Sequence, residues 1–113
     1  MRVKAELMSD KDKALIEAIA EFMGVKLKKP HYADTKIYLE GFMFIEYNPL
    51  SNGTQREEFY EKVGMSIRPV YGLDQKIDRW QAWAGFSGVI EDKSRTKAAL
   101  LCAANFLNVE WIG

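Results

Sequence analysis

The sequence has few of the residues that build metal sites or nucleophilic active sites. It contains one histidine, His31, and one cysteine, Cys102, among 113 residues. A single cysteine excludes a disulfide within the chain, and one histidine with one distant cysteine gives no zinc-ligand spacing. Cys102 lies in the apolar run Ala98–Ala104, which favours a small core residue over a reactive thiol. We therefore expect no metal site and no cysteine–histidine pair.

Long apolar runs and an excess of one charge are also absent. No stretch approaches the ~18 uncharged apolar residues of a membrane-spanning helix, and the charged segment Met1–Met8 does not resemble a signal peptide. Lysine plus arginine and aspartate plus glutamate both number 16, so the formal net charge is zero. Non-specific nucleic-acid binding needs surplus positive charge and is not expected. The sequence predicts a cytoplasmic protein outside the membrane, and its low net charge favours self-association or a partner complex.

Motifs for common reactions are missing as well. None of the serines lies in a G-x-S-x-G setting, and there is no G-x-G-x-x-G or Walker-type loop. The carboxylates of Glu40, Glu46, Asp74 and Asp78 have no spacing that forces two of them into one cleft. We predict no catalytic residues and no cofactor, and hence a protein that is not an enzyme.

The residues that are present indicate one globular domain over residues 1–113. Apolar residues make up 48% of the chain and aromatic residues 12%, enough for one core at this length. Cap residues predict three helices. The first runs between Ser9 and Gly24, the second begins at Thr54 in a capping box with Glu57, and the third begins at Ser94.

Between these helices the sequence predicts about four strands. Lys36–Glu40 and Phe42–Tyr47 form a hairpin, Met65–Tyr71 follows as an edge or bulged strand because of Pro69, and Ile77–Phe86 is the last. Bulky apolar side chains occur on both faces of Phe42–Tyr47 and of Ile77–Phe86, which predicts cover on both sides. The expected fold is α+β, a three-layer α/β/α sandwich with a mostly antiparallel sheet and three helices.

One cluster has the composition of an anion site, at the start of the third helix. Its free N–H groups, two hydroxyls and three cations suit a phosphate, and one tryptophan, Trp80, is a candidate to stack on a ligand. The candidate residues are Lys93, Ser94, Arg95, Thr96, Lys97 and Trp80. Against this, Glu91 and Asp92 neutralise the cations and Ser94 is explained as a cap. A capped, solvated helix start is the favoured interpretation, and an anion site is the alternative.

Three segments together resemble a known group of proteins. Glu46–Ser51 followed by a short helix, then Arg79–Ala82, then Ser94–Leu101 resemble the small phage and prophage proteins that include the phage ABA-sandwich family. Members show an aromatic-Asn-Pro turn, a helix, a strand with tryptophan and a final alanine-rich helix. The resemblance spans Phe42 to Leu107. It implies a phage origin and an α/β/α fold, and it carries over no catalytic residue.

Two functional expectations follow. The first is a non-enzymatic phage accessory protein that binds a host component in the cytoplasm of an infected bacterium, with an inhibitor of a bacterial defence system as its most concrete form. The second is a protein that binds or sequesters a nucleotide or another small anion through Arg95, Lys97 and a nearby tryptophan. The expected partner is a host protein or a second copy of the chain, and a small anionic ligand is the alternative.

Overall fold

Two helices, three strands and a final helix follow one another along the chain in an α+β arrangement. The structure is a computed structural model and describes residues 8–28, 36–41, 45–86 and 88–112. In chain order, its regular elements are α1 (Asp10–Met23), α2 (Gly53–Val63), β1 (Ser66–Tyr71), β2 (Ile77–Trp83), β3 (Ile90–Asp92) and α3 (Arg95–Phe106). The prediction of three helices and of an α+β fold is confirmed.

Helix α1 begins and ends where the caps predict. The Ser9 hydroxyl accepts a hydrogen bond of 3.1 Å from the Asp12 amide, which satisfies one of the free N–H groups of the first turn. Gly24 ends the helix with φ of 70°, a left-handed conformation that glycine adopts without steric cost. The buried side chains of the helix are Leu15, Ile16, Ile19 and Ala20.

Helix α2 begins two residues earlier than the sequence predicts, and Thr54 as its N-cap was wrong. Asn52 caps the helix, and its side-chain oxygen accepts from the Gln55 amide at 3.0 Å. Asparagine is as good an N-cap as threonine. Glu57 does not close the expected capping box with Thr54; its carboxylate contacts Arg95 of α3 instead.

The Asn-Pro turn before α2 is held by the Gln55 side chain. Its Oε1 accepts from the Asn48 amide at 2.7 Å, and its Nε2 donates to the Glu46 carbonyl at 3.0 Å. The Asn48 side chain also accepts from the Leu50 amide at 3.1 Å. One glutamine therefore joins the helix start to the strand-like segment before the turn, which explains why the cap lies at Asn52.

The predicted hairpin is present as backbone pairing rather than as regular strands. Tyr38 and Glu46 form an isolated antiparallel bridge, and the Tyr47 amide donates to the Ile37 carbonyl at 2.8 Å. A second bridge joins Leu39 to Leu27. The first half of the predicted strand Phe42–Tyr47, residues 42–44, lies outside the described residues, so the expectation of apolar side chains on both its faces is not assessed there.

The regular sheet of the described residues has three strands, where about four are predicted. The order is β1-β2-β3, with both pairs antiparallel. Strand β1 lies at an edge, where Pro69 needs no ladder hydrogen bond, and the register shifts between Val70 and Tyr71. The predicted strand Ile77–Phe86 ends at Trp83. Strand β3 was not predicted, because its three residues have no strand pattern of their own.

Helix α3 covers one face of the sheet. One cluster contains four residues that are all at most 1% exposed: Ala82 of β2, Ala84 directly after β2, and Ala98 and Cys102 of the helix. Small side chains let the helix lie close to the strands. The interpretation of Cys102 as a core residue is confirmed by its burial.

The other face of β2 differs from the expected two-sided cover. Alternation along the strand places Ile77, Arg79, Gln81 and Trp83 on it. Ile77 is 48% exposed and the Arg79 side chain 40% exposed. The polar pair Arg79 and Gln81 separates the two apolar residues, so this is a mixed and partly wet face. The three-layer sandwich therefore stays a prediction.

A larger core lies between α1, α2 and α3. Phe22 of α1 meets Phe59 of α2 and Phe106 of α3 edge to face, each at a ring-centroid distance of 5.6 Å. Such pairs stabilise by about 0.5–1.5 kcal/mol beyond the area they bury. The fully buried aliphatic residues are Leu15, Ile16, Ile19 and Ile37. Within the described ranges, no helix is both long and apolar enough to cross a bilayer.

Candidate functional site

The sequence places the alternative anion site at the start of α3. Several polar groups there already form hydrogen bonds with neighbouring residues of the chain. The Ser94 hydroxyl accepts from the Lys97 amide at 3.2 Å, which caps the helix. The Ser94 amide donates to Oδ2 of Asp92 at 2.8 Å. A carboxylate therefore lies beside the positive end of the helix dipole, where an anionic ligand would be stabilised.

Arg95 contacts both a carboxylate and an aromatic ring. Its Nη1 lies 3.2 Å from Oε1 of Glu57, and its guanidinium lies 6.0 Å from the ring centroid of Trp80. This distance is at the outer limit of a cation–π contact. The structure thus brings Arg95 and Trp80 together, as the anion hypothesis requires. It adds Glu57, which the sequence did not indicate and which competes for the same guanidinium.

The other predicted residues surround this contact without joining it. Lys93 and Lys97 are exposed, and Thr96 is partly buried in the first turn. No described contact links the two lysines to Trp80. The arrangement therefore holds one cation beside one ring, with a carboxylate from α2 and a carboxylate from β3 close by.

A depression of about 280 Å³ adjoins Arg95, with Tyr60 in its wall. Tyr60 is 4% exposed, and its hydroxyl has no hydrogen-bond partner among the described residues. Burial raises the pKa of Tyr60 to about 12, with smaller and opposing effects from Arg56 and Glu57. Sequence reasoning missed Tyr60, because neighbouring Phe59 and the helix pattern identify it only as a core residue.

The uncovered side of the sheet carries a second arrangement, here called the open face. It consists of outward-directed residues from all three strands: Arg68, Val70, Ile77, Arg79, Gln81, Trp83 and Glu91. Arg68 lies 5.3 Å above the Trp83 ring, a distance typical of a cation–π contact.

A row of hydrogen bonds crosses the open face from β1 to β3. Arg68 Nε donates to Gln81 Oε1 at 2.8 Å, and Gln81 Nε2 donates to Glu91 Oε1 at 2.7 Å. Arg79 contacts Glu91 at 2.7 Å and Asp78 at 2.8 Å. The bonds from Gln81 and Arg79 lower the pKa of Glu91, and the bonds to Asp78 and Glu91 raise the pKa of Arg79.

Large apolar side chains project from both ends of the sheet. Phe86 and Val89 lie in the β2–β3 connection and are 108% and 56% exposed. Leu73, in the β1–β2 turn at the other end, is 108% exposed. In contrast, the part of the chain that the structure describes contains no group of three or more side chains able to hold a metal ion.

Comparison with known proteins supports a likeness in fold. No protein-family model matches the chain, and no curated protein does. A solved structure does match: the crystal structure of a phage protein from Bacillus cereus ATCC 14579, at 14% sequence identity and a TM-score of 0.50, over 98% of each chain. At this identity the likeness concerns the fold alone. The chain therefore resembles a phage protein in its α+β fold.

Proposed function

We propose that this chain is a phage-encoded, non-enzymatic protein that binds a host protein in the cytoplasm of an infected bacterium. An inhibitor of a bacterial defence system is the most specific form of the proposal. Membership of the phage ABA-sandwich family, with a three-layer sandwich, is part of it. The fold likeness to a phage protein supports the origin, and the Asn-Pro turn, the Trp80 strand and the alanine-rich α3 support the family.

The observation that carries the binding proposal is the exposure of Phe86 and Val89 in one connection. Phe86 is 108% exposed, so its ring contacts water on nearly all sides. Binding residues concentrate on loops held by a rigid scaffold, and aromatic side chains are enriched in the buried centres of interfaces. Strands β2 and β3 anchor both ends of this connection. Phe86 is therefore an exposed aromatic side chain close to the end of β2.

Affinity capture from host lysates tests this proposal. The tagged chain is expected to retain one host protein, and the double variant Phe86→Ser/Val89→Ser is expected to lose it. Leu73→Ser is the matched control, because Leu73 is equally exposed at the opposite end of the sheet. A comparison of lysates from strains with and without known defence systems tests whether the captured protein belongs to a defence system. Equal capture by the double variant, or no capture from any lysate, would overturn the proposal.

A second candidate is binding of a small anion, favoured by the Arg95–Trp80 contact beside the buried Tyr60 hydroxyl. A nucleotide would stack on Trp80, and its phosphate would replace the Glu57 carboxylate on Arg95. Thermal-shift screening with mononucleotides and cyclic nucleotides tests it, since a bound ligand raises the melting temperature. The shift is expected to disappear in Arg95→Ala. It is expected to remain in Lys62→Ala, which removes an exposed cation from the last turn of α2. Absence of any shift removes this candidate.

A further inference from the structure

The open face has a charge distribution that complements itself. Its β1 side contributes one cation, Arg68, whose described hydrogen-bond partner is the neutral Gln81. Its β3 side contributes one carboxylate, Glu91. One side is therefore positive by one charge, and the other is negative by one charge.

In a dimer with a two-fold axis parallel to the strands, the positive side of one copy faces the negative side of the other. Arg68, Gln81 and Glu91 lie in one row across the sheet, because Arg68 pairs with Gln81 and Gln81 with Glu91. If a second copy packs face to face about such an axis, its β3 lies over β1 of the first. Each Arg68 then meets the partner's Glu91, twice per dimer, as an isologous interface requires.

Arg79 lies on the central strand and hence near the axis, where two like charges would meet. Within its own chain, however, Asp78 and Glu91 both pair with it at 2.8 and 2.7 Å. The Arg79 charge is thereby balanced before any partner arrives. The carboxylate of Glu91 has four lone-pair sites, so it can accept from Arg79, from Gln81 and from an incoming arginine.

Apolar area frames this polar row. Trp83 lies at one end of the open face, and Ile77 lies at the other beside Tyr71, with Ile77 48% and Tyr71 62% exposed. Aromatic residues and arginine are enriched in protein interfaces, and this face carries both. Zero net charge of the whole chain also leaves no long-range repulsion between copies.

From these observations we infer that the open face is the interface of a symmetric homodimer, in which a second copy covers the sheet opposite α3. Two such faces pack as aligned sheets about 10 Å apart. This inference is independent of the host-binding proposal, because Phe86 and Val89 lie in the β2–β3 connection and not on the open face. A dimer would present two copies of that connection.

The size of the face indicates a weak dimer. Strand β2 has seven residues, and at about 3.3 Å per residue and about 4.8 Å per strand the face measures roughly 23 by 14 Å. That is roughly 320 Å² per copy, against about 800 Å² in a standard interface. Association should therefore depend visibly on concentration, and sedimentation equilibrium across micromolar to near-millimolar concentrations is the suitable measurement.

The test uses charge reversal. The wild type is expected to pass from 13.0 kDa to twice that mass as the concentration rises. Arg68→Glu and Glu91→Arg are each expected to weaken association about tenfold or more, equivalent to at least about 1.4 kcal/mol. An equimolar mixture of the two variants restores both ion pairs between the copies. In the mixed dimer, position 68 of each chain faces an opposite charge at position 91 of the other. The mixture is therefore expected to associate as the wild type does.

Two further variants keep the test decisive if Glu91→Arg disturbs the fold. Ile77→Lys places a charge on the open face and is expected to abolish association, whereas Leu73→Lys adds the same charge in the β1–β2 turn and is expected to preserve it. Circular dichroism confirms that each variant is folded. A wild type that stays monomeric at every concentration overturns the inference. So does a dimer that survives Ile77→Lys, and so does a mixture of folded reversal variants that fails to associate.

Discussion

Nε1 of the Trp111 indole donates a hydrogen bond of 2.7 Å to Oδ1 of Asp12, residues 99 positions apart. The bond links the segment after α3 to the first turn of α1, where the helix dipole also stabilises a carboxylate. Val109 and Trp111 pack against the larger core. Residues 109–112 therefore form a packed tail and not a strand.

Loss of this bond should destabilise the fold. Trp111→Phe keeps an aromatic ring but removes the donor, and a hydrogen bond to a charged group stabilises by about 1.5–3 kcal/mol. We expect urea denaturation to show a loss of about 1.5 kcal/mol in the free energy of unfolding. Lys11→Ala is the control, since the Lys11–Glu110 pair is 50% and 82% exposed and such pairs contribute about 0–1 kcal/mol. Equal losses in both variants would contradict the prediction.

The contact between α3 and the sheet should not tolerate larger side chains. Ala98 is fully buried beside Ala82 and Ala84, and overpacking a tight core typically costs about 1–3 kcal/mol. Ala98→Leu is therefore expected to lower the free energy of unfolding by about that amount. Ala14→Leu makes the same change at an exposed position of α1 and should leave stability nearly unchanged. A neutral Ala98→Leu would show that α3 is free to move away from the strands.

The buried hydroxyl of Tyr60 should lower the free energy of unfolding at neutral pH. Without a described partner, it carries an uncompensated desolvation penalty, so Tyr60→Phe is expected to stabilise by about 1 kcal/mol. Tyr71→Phe changes an exposed ring and should have no effect. A loss of stability in Tyr60→Phe would mean that the hydroxyl makes a bond in solution.

Tyr60 also predicts a dependence on alkaline pH. Its pKa is raised from 10.0 to about 12 in the folded chain, so the folded state holds its proton longer than the unfolded state does. The part of the free energy of unfolding that depends on Tyr60 keeping its proton is complete below pH 10. It is lost as the pH rises towards about 12. Unfolding measured across that range should show a shallower slope in Tyr60→Phe. An unchanged slope would contradict the assignment.

Glu91 should stay ionised at pH values where an ordinary carboxyl accepts a proton. The hydrogen bond from Gln81, followed by the bond from Arg79, lowers the Glu91 pKa below its usual 4.5. Any stabilisation from this arrangement is present above pH 4.5 and is lost as the pH falls through the lowered pKa. In an NMR carboxyl titration, Gln81→Ala is expected to move the Glu91 midpoint towards 4.5. A midpoint that does not move would contradict the role of Gln81.

Local signals account for much of what the sequence predicted. Ser9, Gly24 and Ser94 act within their own turns, so α1 and the start of α3 were predictable from cap residues alone. The N-cap of α2 was not. Asn52 and Thr54 are both good candidates, and the choice depends on the bonds of Gln55 to the segment before the turn.

Features that depend on distant parts of the chain were harder to predict. Strand β3 exists because it pairs with β2, and Ile-Glu-Asp has no pattern of its own. On β2, Ile77 and Trp83 suggested a covered face, but Arg79 and Gln81 between them make it polar at its centre. In the candidate site, Arg95 was identified from its basic neighbours. Glu57 lies 38 positions away, and its contact depends on how α2 and α3 pack.

The alanines of α3 have a consequence for how relatives of this chain are recognised. Ala98, Ala99, Ala103 and Ala104 set the distance between the helix and the rest of the core. Changing one of them requires compensation elsewhere, whereas the exposed residues of the same helix are free to vary. At identities near 14%, the spacing of small residues in the last helix should therefore be a better search signature than overall sequence similarity.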